Sequence, residues 1–254
     1  RRGERMAPAL RDEQGLVMRL MASLPFALTS GQAAAWAQVS QDLAENRPAH
    51  RLIQGDVGSG KTVLAALAVA QAVGSGHQAA VMAPTELLAH QLLAKLSAWL
   101  SPLGVQVHAL MGGQSAAVRR EALARLASGE SQVVIGTHAL IQRGVQFRSL
   151  GLALVDEQHR FGVAQRVALR EAPDGTSAHI LGMSATPIPR SLAMTYLADL
   201  DVSVIADRPP GRQPIRTRLL SQARREELLD RVRHFINHEG QAYWVCPVIE
   251  EQEE

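Results

Sequence analysis

The stretch GDVGSGKT, residues 55–62, decides how this chain folds. Before it stands the short apolar run Arg51, Leu52, Ile53, Gln54, and after it alanines, valines and leucines follow one another without a charge. The glycines let the backbone curl until successive N–H groups point inward at a phosphate, and a helix beginning near Lys61 adds the positive end of its dipole. On this reading Gly55, Gly58, Ser59 and Gly60 form the cradle. Lys61 reaches the β- and γ-phosphates, and the Thr62 hydroxyl binds Mg²⁺. A glycine turn opening an ordinary helix would account for the glycines, but not for a lysine and a hydroxyl in that order between a strand and a helix.

Outward from the loop, short apolar runs alternate with helical ones. Strands are expected over residues 51–54, 79–83, 105–110, 132–136, 150–155, 179–183 and 202–205, and helices over 61–73, 86–100 and 114–127. Strand, crossover, strand is the grammar of a mostly parallel α/β sheet flanked by helices on both faces. Ligands of such sheets bind beyond the carboxyl ends of the strands, where Gly55 falls. Two helices precede the sheet, over residues 10–21 and, capped by Thr29 or Ser30, over 31–45. Arg208, Pro209, Pro210, Gly211 read as a linker. A strand over 215–220, a helix over 224–237 and an apolar run over 242–248 follow, as another α/β unit would begin.

The 254 residues suffice for one large domain or one domain and part of a second, and 46% hydrophobic residues promise a packed core. A net charge of +2 is too small to argue nucleic-acid binding alone. Lys61 and Lys95 are the only lysines, so the one inside the loop stands out. A single cysteine, Cys246, excludes an intrachain disulfide and fits a reducing, cytoplasmic compartment. No apolar run nears the roughly 20 residues of a membrane span. His138 and His159 lack the spacing of a metal cluster. The first residue is not methionine and the chain stops on Glu253 and Glu254, so we expect a piece of something longer.

The second chemical element is LALVDEQH, residues 152–159. An apolar strand ending in two acids supplies what a phosphate loop needs: Asp156 holds the magnesium directly or through water, and Glu157 orients and deprotonates an attacking water. Alone, an acid pair at a strand end is a solvated turn. Together with the loop, it points to a hydrolase of nucleoside triphosphates. A GTPase would need a guanine-reading NKxD, which does not occur. MGGQS, residues 111–115, imitates the LSGGQ signature of transporter ATPases, but a helix and a strand separate Gln114 from Asp156, so it reads as a turn and helix start.

A nucleic-acid motor is the third class, and here motifs carry a resemblance. DEQH and GMSATPIPR (residues 182–190) resemble superfamily 2 helicases. VDEQHRFGVAQR (155–166), MSATPIPRSLAMT (183–195), DRPPGR (207–212), LPFALTSGQ (24–32), APTELLAHQ (83–91), IGTHALI (135–141) and YWVCPVIEE (243–251) are similar to the RecG family of bacterial branch-migration helicases, over essentially the whole chain. The transcription-repair coupling factors share HRFGV and TPIPR but usually carry DEEH, so Gln158 and YWVCPVIEE favour the former.

The resemblance implies a RecA-like P-loop motor domain that binds ATP and Mg²⁺ and belongs to an ATP-dependent DNA helicase of recombination and repair. Phe26 and Gln32 would line the adenine. Gln158, His159, Ser184 and Thr186 would couple hydrolysis to the DNA side, the last two by hydrogen bonds toward the acids. Pro84, Thr85, Gly112, Gly113, Thr137 and His138 would lie along the DNA strand, contacting phosphates without reading sequence. Arg119, Arg120 and Arg125 fit better on the solvated face of a helix. Implied domains are an N-terminal helical extension or linker (1–45), the first RecA-like domain (46–207), and a linker with the start of a second RecA-like domain (208–254). Implied partners are branched or double-stranded DNA, such as stalled forks and Holliday junctions, that second domain, and an upstream wedge domain; we expect a monomer with no membrane partner. No QxxGRxGR motif, which carries the arginine fingers of such motors, occurs in the chain, so we expect it to bind Mg–ATP with little hydrolysis on its own.

Overall fold

The computed structural model describes residues 6–142, 144–157, 176–186, 200–207, 216–238 and 240–245. The chain divides into two compact units, Arg1–Pro210 and Gly211–Glu254.

The first unit is built on a seven-stranded sheet: β1 His50–Gly55, β2 Gln78–Met82, β3 Val107–Leu110, β4 Val133–Gly136, β5 Leu150–Val155, β6 His179–Ser184 and β7 Asp201–Ile205. Their order is β3-β4-β2-β5-β6-β1-β7, and every pairing is parallel. Parallel strands need crossovers. Those described are α3 Lys61–Gly74 after β1, α4 Glu86–Leu100 after β2 and α5 Ala116–Ser128 after β3. Both faces are covered, which is why β2, β4 and β6 are buried from end to end and read as continuous apolar runs. The period of two sorts the residues between two cores: Val81, Ile135 and Leu154 pack with Leu64 and Leu67 of α3, while Met82, Val134 and Ala153 pack with Leu126 of α5.

The strands begin and end close to expectation, with one informative difference. β3 starts at Val107 rather than at residue 105 because the Val105 N–H turns back to Leu100 O at 3.3 Å, and Gln106 N–H to the Gln132 side chain at 2.9 Å. α1 spans Leu16–Ser23, not residues 10–21. Asp12, at φ 48°, turns its carboxylate onto the N–H groups of Leu16 (2.8 Å) and Val17 (2.9 Å), and so caps the helix from outside it. Residues 6–15 before it are not helical, and Ala7 and Leu10 among them are buried. Leu10 is fully buried, Gln71 donates to Leu10 O, and His179 Nε2 donates to Pro8 O at 2.7 Å. The stretch from Met6 onward thus packs within the same compact unit as the sheet.

α2, Ser30–Leu43, carries a full capping box: Gln32 N–H donates to Thr29 Oγ1, and Thr29 N–H donates to Gln32 Oε1. Farther along, Arg51 of β1 donates to Asp42 (2.7 Å) and to Ser203 Oγ of β7 (2.9 Å), and Ser203 Oγ donates to Gln38. These bonds clamp α2 across β1 and β7.

In the second unit, α6 Arg225–Asn237 follows a 3₁₀ turn at Gln222–Arg224. Glu227 joins Arg224 and Arg231 on its surface. The strand expected over 215–220 is not formed at residues 216–220, and residues 242–245 are not in a strand either. A strand needs a neighbour for its N–H and C=O groups. None pairs with these among the described residues, and Leu219, Tyr243 and Val245 are almost fully exposed. Ile215 and residues 246–248 lie outside the described residues.

Candidate nucleotide site and strand path

Because all strands run the same way, the segments that leave them gather at one rim. The rim carries Gly55–Thr62 after β1, Pro84–Thr85 after β2, Gly112–Gly113 after β3, Thr137–His138 after β4, Asp156–Glu157 after β5, Thr186 after β6 and Asp207 after β7. Register brings the first of these close to the acids. Gln54 of β1 faces Ser184 of β6, and Val155 of β5 faces Gly182, so the loop and the acid pair flank the end of β6.

The loop is held by its glycines. Gly58 and Gly60 sit at φ 81° and 85°, in the left-handed region that β-carbons disfavour. A β-carbon on Gly60 would also run into Gln32 Nε2. Lys61 opens α3 and donates to Gly55 O at 2.6 Å and to Asp56 O at 2.9 Å. Burial pulls its pKa down, against the opposing pull of Glu157, Asp156 and Asp56. Ser59 is buried, and among the described residues its Oγ has no hydrogen-bond partner. Thr62, in the first turn, is half-buried.

Across the end of β6, burial pushes the Asp156 carboxyl above its usual range and the neighbouring Glu157 pushes it further, while the Glu157 N–H bond and Lys61 pull it back. Asp156 accepts that Glu157 N–H at 3.0 Å, and Glu157 sits at φ 51°. A left-handed glutamate is uncommon and marks a backbone held in place by its surroundings. Ser184 and Thr186 were expected to reach toward the acids; the bonds found there join their hydroxyls to each other at 3.0 Å, with Thr186 N–H donating to Ser184 Oγ at 3.2 Å. Gln158 and His159 lie outside the described residues.

Gln32 is placed differently from a freely presented base reader. It is buried, its Oε1 accepts from Thr29 N–H, and its Nε2 donates to Ser59 O at 2.9 Å, so it grips the phosphate loop. Phe26 stands edge-on to Trp99 in the last turn of α4, ring centroids 6.4 Å apart, with nearly half its surface open.

On the other half of the rim, Thr85, Gly112, Gly113 and His138 are exposed and Pro84 is partly so. Thr137 differs. It is 3% exposed, and among the described residues its Oγ1 is buried without a hydrogen-bond partner. Two residues went unnoticed in the sequence. Glu86, after Thr85, accepts from Gly113 N–H at 3.2 Å and so occupies a donor expected to face phosphate; an acid directly following a strand-end threonine was the available signal. Asp207, the first residue of DRPPGR, accepts from the Gly31 N–H and from Ser30 Oγ, which holds its carboxyl below the usual range. Among the described residues no cluster of three or more His, Cys, Asp or Glu is poised to hold a metal, and no helix is long and apolar enough to cross a membrane.

The DEAD/DEAH box helicase model matches residues 29–195. The ATP-dependent DNA helicase RecG of Acidithiobacillus ferridurans is 52% identical over 247 residues, 97% of this chain and 36% of that protein. Its namesake in Escherichia coli (strain K12) is 51% identical over 238 residues, 92% of this chain and 34% of that protein. The chain thus spans about a third of the length of these curated relatives. A solved structure of RecG bound to a three-way DNA junction superposes with a TM-score of 0.86 at 38% identity, over 98% of this chain and 33% of the other. The helicase MrfA bound to DNA, 18% identical with a TM-score of 0.66 over 92% of this chain and 36% of its own, shares the fold.

Proposed function

The chain belongs to the DEAD/DEAH box helicase family, and from that premise we propose that it is the ATP-binding motor domain of a DNA helicase or translocase that remodels branched DNA, such as stalled forks and Holliday junctions, in recombination and repair. The observation that carries this reading is the placement of Lys61 and its glycine loop beside Asp156 and Glu157 at the end of one parallel sheet. The branched substrate draws support from the similarity to RecG helicases and to a RecG solved on a three-way junction.

Burial works against the charged forms of both Lys61 and Asp156. A magnesium nucleotide fits that pair, since its phosphates complement the lysine and its cation the carboxylate. Thr62 and Asp156 would hold Mg²⁺, which when bound neutralises charge developing on the phosphoryl oxygens. Lys61 exchanges the carbonyls of Gly55 and Asp56 for β- and γ-phosphate oxygens. Glu157 orients a water against the γ-phosphorus and takes its proton as the bond to the β-phosphate oxygen breaks. Pro84, Thr85, Gly112, Gly113 and His138 position the DNA backbone along the rim, Gly113 N–H becoming available when Glu86 turns aside. Gln158, His159, Ser184 and Thr186 couple the two halves. A second RecA-like domain and an N-terminal wedge domain complete the machine, which we place in the cytoplasm as a monomer.

The test is Glu157→Gln in the full-length protein. DNA-stimulated ATP hydrolysis falls at least about a hundredfold, in keeping with loss of a positioned general base, while ATP binding persists. Hydrolysis that survives the substitution contradicts the reading.

A further inference from the structure

At the exit of β7 the first residue of DRPPGR ties the chain back to α2. Asp207 Oδ2 accepts from the Gly31 N–H and from Ser30 Oγ (3.1 Å), at the first turn of α2. The next residue of that turn, Gln32, uses its two side-chain ends to join Thr29 to Ser59: Oε1 accepts from Thr29 N–H, and Nε2 donates to Ser59 O. The fit around Gly31 is tight, since a β-carbon there would stand 2.8 Å from the Asp207 carboxylate. Farther down α2, Gln38 and Asp42 are tied to Ser203 and Arg51, so the helix and β7 are bonded along their shared length.

We propose that Asp207 is a positioning residue for the phosphate loop, acting through Gly31 and Gln32 on Ser59. The inference rests on the nucleotide-site reading above. Removing the carboxylate leaves the Gly31 N–H without its acceptor, so the first turn is held by the Thr29–Gln32 capping box alone and is looser. Gln32 cannot move with that turn and still hold Ser59 O, because the donor atom is fixed against Gly60.

The experiment is a double-mutant cycle on Mg–ATP binding in the full-length protein, with hydrolysis followed in parallel. Asp207→Ala weakens binding roughly three- to tenfold, the scale of a lost cap or charged hydrogen bond, and raises KM for ATP with kcat little changed. Asp207→Asn keeps an acceptor for Gly31 N–H and restores most of the affinity. In a Gln32→Ala background, Asp207→Ala has no further effect, because the link is already cut. Should Asp207→Ala fail to fold, Gly31→Ala supplies the same displacement from the other side. The proposal is overturned if Asp207→Ala binds ATP as tightly as the parent, if Asn behaves like Ala, or if the effect persists without Gln32. The failure of the underlying reading shows elsewhere, in ATP binding that ignores Lys61→Ala.

Discussion

Gln32 Nε2 donates to the carbonyl of Ser59 at 2.9 Å, and this one bond joins the α2 N-terminus to the loop that precedes Lys61. The same side chain closes the capping box with Thr29, so the helix start and the loop are set together.

Replacing Gln32 by alanine leaves a buried carbonyl and the Thr29 N–H without their partner, a cost of about 1–3 kcal/mol. Because the loop is the element disturbed, the loss appears in nucleotide affinity as a weakening of roughly five- to hundredfold. Equilibrium titration with an ATP analogue reads it directly, and an unchanged affinity shows that the bond does not shape the cradle.

Asp156 makes nucleotide binding depend on pH. Its carboxyl is raised above the ordinary 3.8 by burial and by Glu157, so the folded chain holds this proton more firmly than the unfolded one. The stability it contributes is therefore full below the unfolded value and lost as pH rises through the native one. Mg–nucleotide uses the ionised form, so at pH near the native value binding releases a proton, and it strengthens as pH rises through that value. Calorimetry in buffers of different ionisation enthalpy detects the proton, and Asp156→Asn abolishes its release and raises the thermal midpoint of the nucleotide-free protein at neutral pH.

The docking of the N-terminal segment has the opposite pH sense. His179 is fully buried and neutral in form, Nδ1 accepting from Ala49 N–H at 3.1 Å and Nε2 donating to Pro8 O. Burial lowers its pKa from the ordinary 6.5, against the pull of the Pro8 carbonyl, Asp42 and Glu45. The unfolded chain then binds more protons, so stability falls as pH drops through 6.5 toward the depressed native value. His77 and His108, also depressed by burial, add in the same direction. Melting scans between about pH 7 and about pH 5 show this slope, and His179→Gln flattens it; a slope unaffected by that substitution places the effect in the other two histidines.

The sheet was legible in the sequence because parallel strands buried on both faces are written as unbroken apolar runs. Residues 150–155 were read to the residue, and the loop and acid pair announce themselves by spacing. What was not legible depends on contacts between distant residues. The late start of α1 follows from Asp12 at a positive φ reaching past Gly15, which periodicity does not encode. Gln32 pointed toward a base by resemblance, whereas its grip on Ser59 arises only when α2 and β1 come together. The resemblance puts Thr137 along the strand path, yet it lies buried just ahead of the 3₁₀ turn His138–Ile141. The strand expected near residue 215 had the right composition for pairing, but composition does not supply the neighbouring strand.

The most direct measurement is equilibrium binding of a fluorescent ATP analogue with Mg²⁺ to this chain and to its Lys61→Ala form. The account predicts saturable binding that weakens at least about tenfold when the ammonium is removed, as expected for loss of a charge-assisted contact to phosphate. Binding of equal strength with and without Lys61 would contradict it, because the loop at the end of β1 would then not be the phosphate cradle.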